Sequence, residues 1–222
     1  MTPHPYYPLE AAIPHYSPNE TPLATILPVF GGIAGAVVLS SYAIACRSTT
    51  RPIDRFAAAW FALCGLLHVT FEGYYIYHGS KISGLQSLYA QIWKEYALSD
   101  SRYLTSDIFT VCVETITVFV WGPLSWLTVL AILRNSPSRH FYQIIVCTAH
   151  LYGVALYYST NWAEFQSNGV LYSRPEFLYY WVYYVGFNAP WAVVPVWLLC
   201  DSWKQMHRAF GALAATEIRK KL

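Results

Sequence analysis

Five apolar stretches, separated by short polar segments, constrain this chain more than any other feature of its sequence. About twenty apolar residues suffice for a helix to cross the roughly 30 Å hydrocarbon core of a bilayer. Backbone groups in lipid must pair within the segment, and the alternating pattern of a membrane β-barrel is absent. We therefore predict an all-α membrane protein, a five-transmembrane-helix bundle. The predicted spans are 25–46, 56–78, 108–133, 140–159 and 178–200.

The composition agrees with a membrane protein. Only 12% of the residues are charged and 55% are hydrophobic, whereas a soluble domain carries about 25% charged residues. The five cysteines include no Cys-x-x-Cys pair, so we expect neither a disulfide framework nor a structural zinc site. Membrane lipid is an expected partner, and nucleic acid is not.

The basic residues predict the orientation of the bundle. With five spans, ten Lys and Arg residues fall on one side of the membrane and four on the other. The ten are Arg47, Arg51, Arg55, Arg134, Arg139, Lys204, Arg208, Arg219, Lys220 and Lys221. The side richer in Lys and Arg faces the cytoplasm, so we predict a cytoplasmic C-terminus and a lumenal or external N-terminus.

This orientation divides the chain into three regions. Residues 1–24 are rich in Pro and Tyr and lack Lys and Arg, and we expect a flexible lumenal tail. Residues 25–205 form the transmembrane domain. Residues 206–222 form a basic cytoplasmic tail.

Few ionisable side chains lie well inside the predicted spans: His68, Glu72, Glu114 and His150. A charged residue near the bilayer centre costs about 2.5–3.5 kcal/mol on insertion scales, and such residues usually mark functional sites. The alternative is a hydrogen bond that holds two helices together.

Depth brings three of these residues to a similar level. Glu72 and Glu114 each lie about six residues, or roughly 9 Å, from the outer end of their spans. His68 is one turn deeper than Glu72, on the same helix face. Two carboxyls and an imidazole in a low-dielectric site suit general acid–base chemistry. Structural hydrogen bonding, ligand binding and proton relay remain alternatives.

His150 and Trp191 also lie inside the predicted spans, and we interpret each of them separately. His150 has no other ionisable partner in its span, so we interpret it as a hydrogen-bonding residue outside the site. Trp191 lies too deep for the aromatic belt at the membrane surface; its indole is expected either to stabilise a cation or simply to pack. His68-x-x-x-Glu72 matches no common metal-ligand spacing, and we predict no metal.

Seven segments, in order and with matching spacing from about residue 25 to 205, resemble the emopamil-binding proteins, which are 3β-hydroxysteroid Δ8,Δ7-isomerases. The segments are WFALCGLLH at 60–68, FEGY at 71–74, WKEY at 93–96, DSRY at 100–103, FTVCVETIT at 109–117, WGPL at 121–124 and FNAPW at 187–191. One difference is Pro190, directly before Trp191, where a proline is expected to kink the helix and alter the pocket.

The resemblance implies a multi-pass enzyme of the endoplasmic reticulum membrane with no cofactor. Such an isomerase moves a sterol ring double bond from C8–C9 to C7–C8, by protonation at C9, a carbocation at C8 and proton loss from C7. It also implies inhibition by cationic amphiphilic amines. A homodimer is included among the expected assemblies.

The resemblance assigns roles to individual residues. The matching functional residues are His68, Glu72, Glu114, Thr117, Asn188 and Trp191. His68 paired with Glu114 would donate the proton, Glu72 would accept it, and Trp191 would stabilise the cation. The expected sterol contacts are Tyr96, Tyr103, Tyr184 and Phe187.

Two other functions stay open. One is an isomerase of the same fold that acts on another polycyclic terpenoid. The other is a membrane protein that binds sterols or amphiphiles without turnover.

Overall fold

Helices account for all the regular secondary structure in residues 3–221, the part of the chain that the computed structural model describes; no strand occurs there. The α-helices are α1 (Leu23–Ser48), α2 (Pro52–Leu66), α3 (Gly73–His78), α4 (Leu88–Tyr96), α5 (Ile108–Ile116), α6 (Gly122–Leu133), α7 (Arg139–Asn168) and α8 (Pro190–Lys221). Three π-helical segments are π1 (Leu67–Glu72), π2 (Thr117–Trp121) and π3 (Leu178–Gly186). Two 3-10 turns lie at Gly79–Gly84 and Ser101–Tyr103.

Four helical stretches in the described residues are long and apolar enough to cross a membrane. They are Leu23–Ser48, Pro52–Gly84, Ile108–Leu133 and Leu178–Lys220. Each contains one of the predicted spans. The remaining prediction, 140–159, lies inside α7, a 30-residue helix that is not among the four. The all-helical class is thus confirmed, together with four spans.

Local sequence explains where several helices begin and end. Pro52 occupies the first turn of α2, where its missing N–H costs nothing. Ser87 caps α4 by accepting from the backbone of Ala90, and Asp107 caps α5 by accepting from Thr110. α7 ends at Gly169, whose φ of 67° is a left-handed conformation that favours glycine.

The helices bury two apolar clusters, one on each side of π1. The first lies among α2, α6, α7 and α8 and includes Phe61, Cys64, Ile132 and Leu198. Alanines along α2 allow its neighbours to approach closely. The second is aromatic and includes Tyr6, Tyr75, Trp93, Tyr103, Tyr157 and Tyr184. π1 therefore joins α2, which contributes to the first cluster, to α3, which contributes to the second.

The N-terminal segment, residues 3–22, packs against the connecting segment, residues 79–107. Tyr6 is buried in the aromatic cluster and donates to the Lys94 carbonyl at 3.1 Å. Lys94 Nζ donates to the Ser17 carbonyl at 2.9 Å, and the Thr21 amide donates to Gln91 Oε1 at 2.8 Å. The composition predicts a flexible tail, whereas this segment is packed against the rest of the protein. The reason is that tyrosine in this segment supplies apolar surface that the connecting segment buries.

Candidate active site

The ionisable residues of the site lie in and next to the two π-helical segments π1 and π2. π1 carries His68 and Glu72, and π2 begins at Thr117, three residues after Glu114. The two segments pack against each other. A π-helical turn inserts one residue into an α-helix and often marks a functional site. Here it changes the direction of side chains within otherwise continuous helices.

His68 and Glu72 form an ion-pair geometry within one helix. His68 Nδ1 lies 2.9 Å from Glu72 Oε1 and 2.8 Å from Oε2. The side chains are 5% and 16% exposed, so the pair is shielded from solvent. The i, i+4 spacing that suggested a shared face is therefore a direct contact.

Glu114 completes the group from the neighbouring helix. Its side chain is buried and accepts a 2.9 Å hydrogen bond from the Tyr103 hydroxyl. The Glu72 carboxyl lies near enough to Glu114 to interact with it electrostatically. Two neighbouring carboxyls in a low-dielectric site do not both ionise readily, so this arrangement can hold an exchangeable proton.

The sequence led us to expect that His68 pairs with Glu114, and the structure corrects this expectation. The structure pairs His68 with Glu72, and Glu114 with Tyr103. The physical reason is that His68 and Glu72 share one helix face, whereas the connecting segment brings Tyr103 to Glu114.

The structure also corrects the interpretation that His150 lies outside the site. Its Nε2 lies 3.1 Å from Nε2 of His68, and its side chain is buried. The sulfur of Cys64 joins these imidazoles, with ligand atoms all within 4.8 Å of one another. These three residues are the set that could hold a soft metal ion. The i, i+4 spacing of Cys64 and His68 was the only sequence signal of this group.

Asn188 and Trp191 sit at the junction between π3 and α8. Asn188 Nδ2 donates to the Tyr96 hydroxyl at 3.1 Å and to the Tyr184 carbonyl at 2.7 Å. Trp191 packs against Trp60, with ring centroids 5.2 Å apart. Pro190 is the first residue of α8, so the expected kink falls where π3 gives way to the α-helix.

Trp191 also reaches the imidazole pair indirectly. It packs against the apolar cluster that contains Cys64, and Cys64 is next to His68 and His150. Thr117 is buried, but its hydroxyl donates to the Val113 carbonyl of its own helix at 2.9 Å.

Two of the four predicted sterol contacts, Tyr103 and Tyr184, are buried, and Tyr96 is partly buried. Tyr103 is held by Glu114, and Tyr96 accepts from Asn188. Burial raises the pKa of both tyrosines, so each keeps its proton and remains a hydrogen-bond donor at neutral pH. Tyr184 is buried, whereas Phe187 is 52% exposed and stacks on Tyr183.

Comparison with known proteins decides the family. A family model described as EXPERA, the expanded EBP superfamily, matches residues 88–202. A 3-beta-hydroxysteroid-Delta(8),Delta(7)-isomerase from Cavia porcellus is 35% identical over 221 residues, which cover 98% of this chain and 95% of the relative. The chain belongs to the EXPERA superfamily.

Other relatives of this EXPERA protein have related names. An isomerase of the same name from Mus musculus is 34% identical over 221 residues, covering 98% of this chain and 95% of the relative. An isomeliandiol synthase from Melia azedarach is 35% identical over 156 residues, covering 70% of this chain and 71% of the relative. The resemblance to emopamil-binding proteins is thus confirmed over nearly the full chain.

Proposed function

We propose that this EXPERA protein is a sterol Δ8,Δ7-isomerase of sterol biosynthesis that works by proton transfer within the membrane. The observation that carries the proposal is that two shielded carboxyls occupy one site, with His68 bonded to Glu72 and Tyr103 bonded to Glu114. A double-bond shift requires two groups that can hold a proton, because one proton is added and another removed in each turnover.

The proposed reaction balances without any other reactant. A carboxylic acid gives its proton to C9 of the Δ8 sterol, and the π electrons of the C8–C9 bond form the new C–H bond. A carbocation remains at C8. A carboxylate then takes the C7 proton, and the electrons of that C–H bond form the C7–C8 double bond. The enzyme has gained one proton and lost one.

The contacts favour Glu114 as the acid and Glu72 as the base. The Nδ1–H of His68 bonds to both oxygens of Glu72, and such charge-assisted bonds stabilise a carboxylate. The Glu114 carboxyl has only a tyrosine hydroxyl and Glu72 as polar partners in the described residues, so it is the member that carries the shared proton. His68 in this assignment orients the base rather than the acid.

Trp191 and Trp60 would stabilise the carbocation. Their rings lie 5.2 Å apart in the apolar cluster that contains Cys64, and an aromatic face attracts a desolvated cation by about 2 kcal/mol or more. The same attraction would allow cationic amphiphilic amines to bind as mimics of the carbocation and inhibit. Thr117 and Asn188 would position the carboxyls and the sterol contacts, respectively.

The proposed setting is the endoplasmic reticulum membrane. α7 would serve as the fifth span, packed against α6 and α8, with its polar residues turned toward the bundle. The N-terminal and connecting segments would face the lumen, and the basic C-terminal part of α8 the cytoplasm. The chemistry as proposed uses no cofactor.

The test is conversion of a Δ8 sterol by the purified protein in lipid nanodiscs made with D2O buffer. We expect a Δ7 product that carries one deuterium at C9. Glu114→Gln should abolish turnover and keep the fold, whereas the exposed control Glu217→Gln should keep full activity. Sterol binding without any conversion by the wild type would refute the proposal in favour of a binding protein.

A second function is favoured by one observation, the 35% identity to an isomeliandiol synthase. The alternative is an isomerase that uses the same carboxyl pair on another polycyclic terpenoid. Parallel assays with a Δ8 sterol and with tetracyclic triterpenoids distinguish the two. Turnover of the triterpenoid alone would transfer the proposed mechanism to that substrate class.

A further inference from the structure

His150 contacts the proposed catalytic group through a buried imidazole pair. Its Nε2 lies 3.1 Å from His68 Nε2, and the ring centroids are 5.2 Å apart at an interplanar angle of 61°. The two residues are 82 positions apart in the chain, on α7 and π1. Both are buried, so no solvent competes for this contact.

The hydrogen bonds define the tautomers of both rings. His68 donates from Nδ1 to the Glu72 carboxylate, so a neutral His68 has a bare Nε2 that can only accept. His150 must then donate from Nε2, which leaves its own Nδ1 bare. That Nδ1 has no hydrogen-bond partner among the described residues. A buried polar atom without a partner is costly, so this orientation of His150 serves the contact with His68.

We propose that His150 is a positioning residue of the isomerase: it holds His68 in the tautomer and orientation that present Nδ1–H to Glu72. Without the donor on α7, neutral His68 can place its proton on either nitrogen. The ring with the proton on Nε2 has no N–H for Glu72, and the base loses its orienting bond. The inference rests on the proposed function, because it concerns the same Glu72.

The same residues suggest one competing role, a soft-metal site. Cys64, His68 and His150 provide a thiol and two imidazoles within 4.8 Å, a donor set that suits zinc or copper(I). A metal role and a positioning role differ in what they require. The metal needs the Cys64 sulfur and an imidazole on α7, whereas positioning needs only an N–H donor at 150.

The experiment compares two variants of opposite design. His150→Gln keeps an N–H donor on the side chain but replaces the ring. His150→Phe keeps a ring of similar shape but has no donor. Cys64→Ala is the third variant, since it removes the thiol and leaves both imidazoles. Steady-state kinetics on the Δ8 sterol and thermal unfolding are measured for each purified protein in nanodiscs.

We expect His150→Gln to keep kcat within about threefold of wild type and His150→Phe to lose about ten- to a hundredfold, with little change in KM. Cys64→Ala should keep most of the activity. Added to a His68→Ala background, the two substitutions at 150 should have equal effects, because their difference acts through His68.

Three results would overturn the inference while leaving the isomerase intact. One is a higher kcat for His150→Phe than for His150→Gln while the wild type is active, which would indicate a role in packing alone. Another is a difference in kcat between His150→Gln and His150→Phe that stays the same in the His68→Ala background. The third is inactivity of both His150→Gln and Cys64→Ala together with inhibition by chelators, which would establish the metal role. An inactive wild type would instead refute the proposed function.

Discussion

Gly122→Ala tests how closely α6 must approach His68. A Cβ at position 122 would lie 2.8 Å from Val69 Cγ2, 3.2 Å from His68 Cβ and 3.5 Å from the Thr117 carbonyl oxygen. Carbon atoms in contact prefer about 3.5–4.0 Å. Val69 is 42% exposed and can rotate aside, but His68 Cβ moves only if π1 moves.

The two effects of this methyl group are different in size. Overpacking costs about 1–3 kcal/mol, and replacing glycine within a helix returns up to about 1 kcal/mol. We therefore expect a net loss of about 0–3 kcal/mol in the free energy of unfolding. A displacement of His68 by a few tenths of an ångström would weaken its contact with Glu72, and we expect kcat to fall about tenfold, since a misplacement of about 1 Å can cost a hundredfold.

The assay is the initial rate of Δ8-to-Δ7 sterol conversion, followed by gas chromatography and mass spectrometry, together with thermal unfolding. Gly153→Ala in α7 is the matched control, because its added Cβ meets nothing within 4 Å. The control should keep full activity and gain about 0.4–1 kcal/mol. Equal activity of the two alanine variants would refute the role assigned to this close approach.

Three further predictions concern the connecting segment. Tyr103→Phe removes the hydroxyl that donates to Glu114 at 2.9 Å; we expect about ten- to a hundredfold loss of kcat with an unchanged fold, and steady-state kinetics showing wild-type kcat would contradict it. Asp100→Asn removes the charge that pairs with buried Arg102 at 2.6 Å and should cost about 3–5 kcal/mol, seen as a lower unfolding temperature; an unchanged temperature would count against a buried ion pair. Burial lowers the pKa of Lys94 to about 8. Between that pH and its ordinary pKa of about 10.5, the unfolded chain binds a proton that the folded protein does not, so stability should rise with pH. Lys94→Met should remove this rise, and parallel pH profiles of the two proteins would refute it.

Apolar length was sufficient to predict the membrane class, because an apolar helix of the right length has few stable environments other than a bilayer. The predicted span 108–133 coincides with Ile108–Leu133 in the structure. α7 differs, since polar residues such as Gln143 and His150 lower its hydropathy while they face neighbouring helices. Four of the five predicted spans therefore coincide with helices that are apolar enough to cross a membrane, and the fifth stays a prediction.

The sequence by itself determined that His68 and Glu72 share one helix face, because the helical repeat places residues four apart on the same side. It also determined that Glu114 lies at a similar depth, because depth follows from the rise per residue. Only the tertiary structure decided which groups these residues meet. Tyr103 reaches Glu114 from the connecting segment, and His150 reaches His68 from a helix 82 residues away. Such partners depend on which helix faces pack together, and local periodicity carries no information about the rotation of one helix against another.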